Sequence, residues 1–194
     1  LSFKSQEVKM RITCLGDSLA FGHGVPRKNK WLVLAQKSLP DTVLLNAGIC
    51  GDTTNGMKRR LRNVLGTRPD GVILIGGIND ILLTGSDKEA LSNMDALAAA
   101  CKQLNVVPYL AISPPVYSGD AMDWFTDPKE ARPIALHYAQ GLRDLANAKA
   151  YPLIDFAEAG DWHQADMYID GFHPSPKGHQ AMAKMVVSTL KDTH

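Results

Sequence analysis

The chain has 194 residues, 45% of them hydrophobic and 21% charged, the proportions of a soluble globular domain long enough to bury a core. Twenty-one basic residues against twenty acidic ones leave a formal charge of +1, which argues against nucleic-acid or anionic-membrane partners. No apolar run approaches the roughly 20 residues of an integral membrane helix, and Cys14, Cys50 and Cys101 lie too far apart for a CxxC zinc or dithiol motif.

Residues 1–10 read as an N-terminal extension or a vector-derived leader, and 11–194 as one domain. Ile12-Thr13-Cys14-Leu15 predicts a first strand. Trp31, Leu32, Leu34, Ala35 and Leu39 then recur at helical spacing behind Asn29, an N-cap candidate. Thr42 to Leu45 reads as a second strand. Met57, Leu61, Val64 and Leu65 form a helical stripe closed by Gly66. Val72 to Ile75 is continuously apolar, as in a strand covered on both faces. Ser86-Asp87-Lys88-Glu89 has the form of a capping box ahead of a helix carrying Ala90, Met94, Leu97 and Cys101. A fourth strand over 106–112 and a helix over 133–148 follow, with Pro133 in the first turn of that helix. Leu153-Ile154 is a short fifth strand. Ser175-Pro176 is an N-cap and N1 pair for a final helix. Strands alternating with helices predict a three-layer α/β/α domain around a parallel sheet of about five strands.

Ligands of such sheets bind beyond the carboxyl ends of the strands. Five loops are therefore expected to converge: Gly16-Asp17-Ser18-Leu19, Asn46 to Asp52, Gly77-Ile78-Asn79-Asp80, Pro114-Pro115, and Asp170-Gly171-Phe172-His173-Pro174. Together they hold the parts of a serine hydrolase. Ser18 is the candidate nucleophile, and a serine hydroxyl needs a base. His173 is the candidate base, since imidazole titrates near neutrality. Asp170, three residues earlier, can reach back to Nδ1 and fix the tautomer. The amides of Ser18 and Gly48 and the side chain of Asn79 are the candidate oxyanion donors. Asp17 and Asp80 read as structural. His23, His137, His163, His179 and His194 read as surface or packing residues, and Lys58, Arg59, Arg60 and Arg62 as a solvated basic face.

Gly16-Asp17-Ser18-Leu19 is a GDSL signature. Ser18, Gly48, Asn79 and His173 match in order the four residues that name the SGNH hydrolase superfamily. The flanking Gly51-Asp52-Thr53, Gly77-Ile78-Asn79-Asp80 and Asp170-x-x-His173-Pro174 match as well. From about residue 11 to the last helix, the chain resembles GDSL-type esterases and lipases. Its Leu45 to Thr53 stretch is similar to the bacterial thioesterase/lysophospholipase branch. The resemblance implies a flavodoxin-like fold and hydrolysis of carboxylic esters, with thioesters or lysophospholipids in range, through an acyl-enzyme on Ser18. It implies neither cofactor nor metal.

The expected partner is a small ester with an apolar acyl or aryl group. Ile78, Ile81 and Leu82 on one side, and Pro115, Val116, Tyr117, Trp124 and Phe125 on the other, are the candidate pocket walls, because aromatic and aliphatic side chains after a strand end line pockets. Reduced, buried cysteines suit a cytoplasmic setting. The near rivals keep the chemistry: a carbohydrate O-acetyl esterase or an acyltransferase. The far rival is a flavodoxin-like binding domain without catalysis.

Overall fold

The computed structural model describes residues 10–117 and 128–192. Five parallel strands, β1 (Met10–Gly16), β2 (Thr42–Gly48), β3 (Gly71–Ile75), β4 (Val107–Ile112) and β5 (Leu153–Asp155), lie in the order β2-β1-β3-β4-β5. That order places the switch point between β1 and β3, where a crevice opens beyond the carboxyl ends.

Period-two alternation divides each strand between two cores. Ile12 and Cys14, Ile73 and Ile75, and Tyr109 and Ala111 face α1 (Ser18–Phe21), α2 (Trp31–Gln36) and α7 (Pro176–Asp192). Leu15, Val72 and Leu74, and Leu110 and Ile112 face α3 (Thr54–Gly66), α4 (Ile78–Thr84), α5 (Lys88–Gln103) and α6 (Pro128–Lys149). Each fully buried Leu, Ile or Val in these cores contributes about 1.5–3 kcal/mol. No helix among the described residues is long and apolar enough to cross a membrane.

Several element ends differ from the sequence reading, and at the starts of α2 and α5 a tertiary partner intervenes. Lys30, not Asn29, stands at the start of α2 with no side-chain cap; the orphan Trp31 N–H donates instead to Nδ1 of His179 from α7 at 3.2 Å. The capping box does not close. Asp87 is the N-cap residue of α5, Glu89 Oε1 accepts from Asn55 of α3, and Asp87 pairs with His137 of α6. Helix α6 begins at Pro128, so Pro133 lies inside it and forfeits an intrahelical bond. Ser175 does cap α7, its Oγ accepting from Lys177 N and Gly178 N at 3.2 and 3.3 Å. Strand β2 runs past Leu45, to Gly48.

Candidate active site

The β1–α1 junction is set by Asp17. Its carboxylate, 1% exposed, accepts from Leu19 N at 2.8 Å and so caps α1. Burial pushes this carboxyl up to about 7, against the Leu19 bond and the nearby His173; Asp52 and Asp80 push the same way as burial. Asp17 is thus a brace beneath the loop, and the residue after it, Ser18, is half-buried at the crevice.

The loop before α7 supplies the other half. Ile169 N donates to His173 O at 2.9 Å, and Tyr168 bridges Pro174, so the segment between them is a tight turn. Within it Asp170 Oδ1 accepts from Phe172 N at 3.0 Å and His173 N at 2.7 Å, while Oδ2 lies 2.6 Å from His173 Nδ1. A carboxylate there requires the proton on Nδ1. Nε2 then offers a lone pair, and Ser18 Oγ lies 2.9 Å from it, across 155 residues of chain. Burial raises the Asp170 carboxyl, but its hydrogen bonds with the His173 ring and with the two backbone amides outweigh that and hold it at about 2.

Asn79 stands in the first turn of α4, and one amide hydrogen donates to Asp52 O at 2.8 Å, leaving the second for the crevice. Asp80 does not cap α4; its buried carboxylate accepts from Thr54 N and Oγ1 and ties the start of α3 to the same loop. Arg60 is not part of a solvated face. Its guanidinium donates to Ala47 O, Gly16 O and Asp52, binding the first two loops together. Lys58 donates to Asn93 at 2.8 Å.

Gly48 does not face the crevice. It pairs with Gly16 inside the sheet, and its N–H donates to Asn46 Oδ1 at 2.8 Å. A Cβ there would lie 2.3 Å from Phe21 N, so the glycine serves close packing of α1 on β2. Gly51 occupies the place expected of Gly48. It lines the cavity, has φ +76°, and its N–H has no hydrogen-bond partner among the described residues. The extra length of β2 accounts for the difference: Gly48, expected in the loop beyond the strand, is still in the sheet.

A cavity of about 130 Å³ opens over Ser18. Its apolar lining is Leu19, Ile78, Leu82, Pro114, Val116 and Phe172; Cys50 and His23 line it too. Ile81 is 1% exposed and belongs to the core beneath. Pro115 lines a neighbouring cavity instead, and Tyr117 packs on Tyr168 with ring centroids 5.5 Å apart. Trp124 and Phe125 lie outside the described residues. Cys14 and Cys101 are buried thiols as expected, but Cys50 is exposed.

A family model for the GDSL-like Lipase/Acylhydrolase family matches residues 14–181. The chain belongs to that family. An arylesterase of Vibrio mimicus is 29% identical over 195 residues, covering 96% of this chain and 90% of that protein. A G-D-S-L lipolytic protein of Veillonella parvula superposes with a TM-score of 0.82 at 20% identity, covering 94% of this chain and 98% of that one. The esterase EstA of a Pseudoalteromonas species, in a structure inhibited by monoethylphosphonate, superposes at 0.72 with 24% identity, covering 94% and 97%. This GDSL hydrolase is therefore an ester hydrolase on a three-layer fold. Gly51, Arg60, His23 and Cys50 are the residues near its crevice to which the sequence motifs assign no role.

Proposed function

We propose that this hydrolase cleaves small carboxylic esters by a two-step transfer through Ser18. The observation that carries the reading is the continuous relay from Asp170 through His173 to Ser18 Oγ, with links of 2.6 and 2.9 Å. Ser18 Oγ attacks the acyl carbon while His173 Nε2 takes its proton. The carbonyl oxygen becomes an oxyanion, received by the Gly51 and Ser18 N–H groups and the second Asn79 amide hydrogen. His173 then gives its proton to the departing alcohol oxygen. Water, deprotonated by the same Nε2, attacks the acyl-serine, and the proton returns to Ser18. Asp170 stays anionic throughout the range in which imidazoles titrate, so it fixes the Nδ1 tautomer and offsets the imidazolium charge.

The size of the cavity supports a short acyl or aryl group. The opening over Ser18, about 130 Å³, is of the order of the roughly 150 Å³ that holds one benzene. Rates with p-nitrophenyl esters of graded acyl length test this. The expected kcat/KM is highest for acetate to butyrate and falls at least about tenfold by octanoate. A maximum at long chains would contradict it. Acetylated xylan in the same panel separates the O-acetyl carbohydrate reading, and transfer to added alcohol separates the acyltransferase one.

A further inference from the structure

We propose that His23 and Cys50 form the wall that receives the alcohol half of the ester, while Ile78, Leu82, Pro114 and Val116 receive the acyl half. The assignment rests on the roles given above to Ser18 and His173.

The cavity is lined by groups of two kinds. The His23 ring lies with its centroid 4.7 Å from that of His173, the planes inclined by 52°. Cys50 Sγ is 3.7 Å from His23 Nδ1. Both side chains are exposed and neither belongs to either core, so packing does not explain their placement. The same cavity is lined by apolar side chains, among them Ile78 and Leu82 on α4 beside Asn79.

The reaction decides which half meets which wall. Three groups radiate from the carbon that Ser18 attacks. The oxygen goes to Gly51 and Asn79. The leaving oxygen has to reach His173 Nε2 to be protonated, which brings the alcohol group alongside the His173 ring, the ring that His23 packs against. The acyl group takes the remaining direction, and the apolar lining of Ile78, Leu82, Pro114 and Val116 suits it. An imidazole face and a polarizable thiol are flat, soft surfaces that suit an aromatic alcohol.

The test is a matrix of ethyl, phenyl and 1-naphthyl alcohols against acetyl, butyryl and hexanoyl groups. Intrinsic leaving-group reactivity cancels when each variant is divided by wild type. His23→Ala is expected to lower kcat/KM for 1-naphthyl acetate about fivefold or more relative to ethyl acetate, with the acyl series unchanged. His23→Phe, which keeps a flat ring, restores the naphthyl preference. Leu82→Ala is expected to do the converse, shifting the acyl series alone. Methyl methanethiosulfonate converts an accessible thiol to a methyl disulfide, and it selects Cys50 because Cys14 and Cys101 are buried. The reagent should slow naphthyl esters more than ethyl esters and have no effect on Cys50→Ser. An acyl-series shift in His23→Ala, or equal loss across the whole matrix, overturns the wall assignment. Absence of any turnover by wild type, with Ser18 unlabelled by a phosphonate, would instead overturn the underlying mechanism.

Discussion

Ser18 has two neighbours with separate tasks. Asp17 shapes the turn beneath it, and His173 Nε2 lies 2.9 Å from its hydroxyl, placed to take its proton. Ser18→Ala is expected to lose at least about a thousandfold in kcat while near-native circular dichroism persists. Asn79→Ala removes one of the proposed oxyanion donors, so a loss of roughly a hundredfold to a thousandfold in kcat with little change in KM is expected. The two glycines of the second loop should separate by kind of damage. Gly48→Ala drives a methyl onto the Phe21 backbone and should lower the melting temperature, with residual activity tracking folded protein. A Cβ at Gly51 would meet nothing within 4 Å, but the backbone there has a φ of +76°. Gly51→Ala should cost about 1–2 kcal/mol in backbone strain and slow kcat in the protein that remains folded. Activity and melting curves on both variants check this, and a Gly48 variant that is stable but inactive would return the donor role to that position. Ser18, Asp170 and His173 are legible in the sequence because their blocks are short, local and distinctive. Gly51 is not, because a strand's last residues carry no marker when, as with Asn46-Ala47-Gly48, they are polar or small.

The helices show what local pattern reading leaves out. The apolar stripes of α3, α5 and α7 are visible as spacing, and all three helices exist. The start of α2 is set from a distance. His179, fully buried in α7, closes it through Trp31 N, and its own Nε2 has no partner among the described residues. Burial, with smaller effects of Lys30 and His173, holds this imidazole down at about 4. An unfolded imidazole titrates near 6.5, so between the two values the unfolded chain binds a proton that the folded chain refuses. The contribution of His179 to stability is therefore complete above about pH 6.5 and is lost as pH falls toward 4. At about 1.4 kcal/mol per pH unit, wild type should lose about 2 kcal/mol more than His179→Gln between pH 7 and 4.5 in urea denaturation. Other groups, Asp17 included, cancel in that difference. Parallel pH curves for the two proteins would show that His179 is not held neutral by the fold.

At the scale of the whole molecule, the sheet order does the work that no single motif does. The connections leaving β1 and β3 diverge to opposite faces, and the crevice between them collects loops from both ends of the chain. Alternating strands and helices announce a parallel sheet. They do not state strand order, and the late loop carrying Asp170 and His173 follows no strand end directly. Its arrival at Ser18 depends on α7 packing beside α2 on one face of the sheet, a contact between distant segments without a local signature. The most direct measurement of this convergence is intact mass and peptide mapping after exposure to a fluorophosphonate. A single adduct on Ser18, absent from Ser18→Ala and formed at least about a hundredfold more slowly by His173→Ala, is the expected result. Adduct formation on another residue, or ester turnover that Ser18→Ala and His173→Ala leave unimpaired, would contradict it.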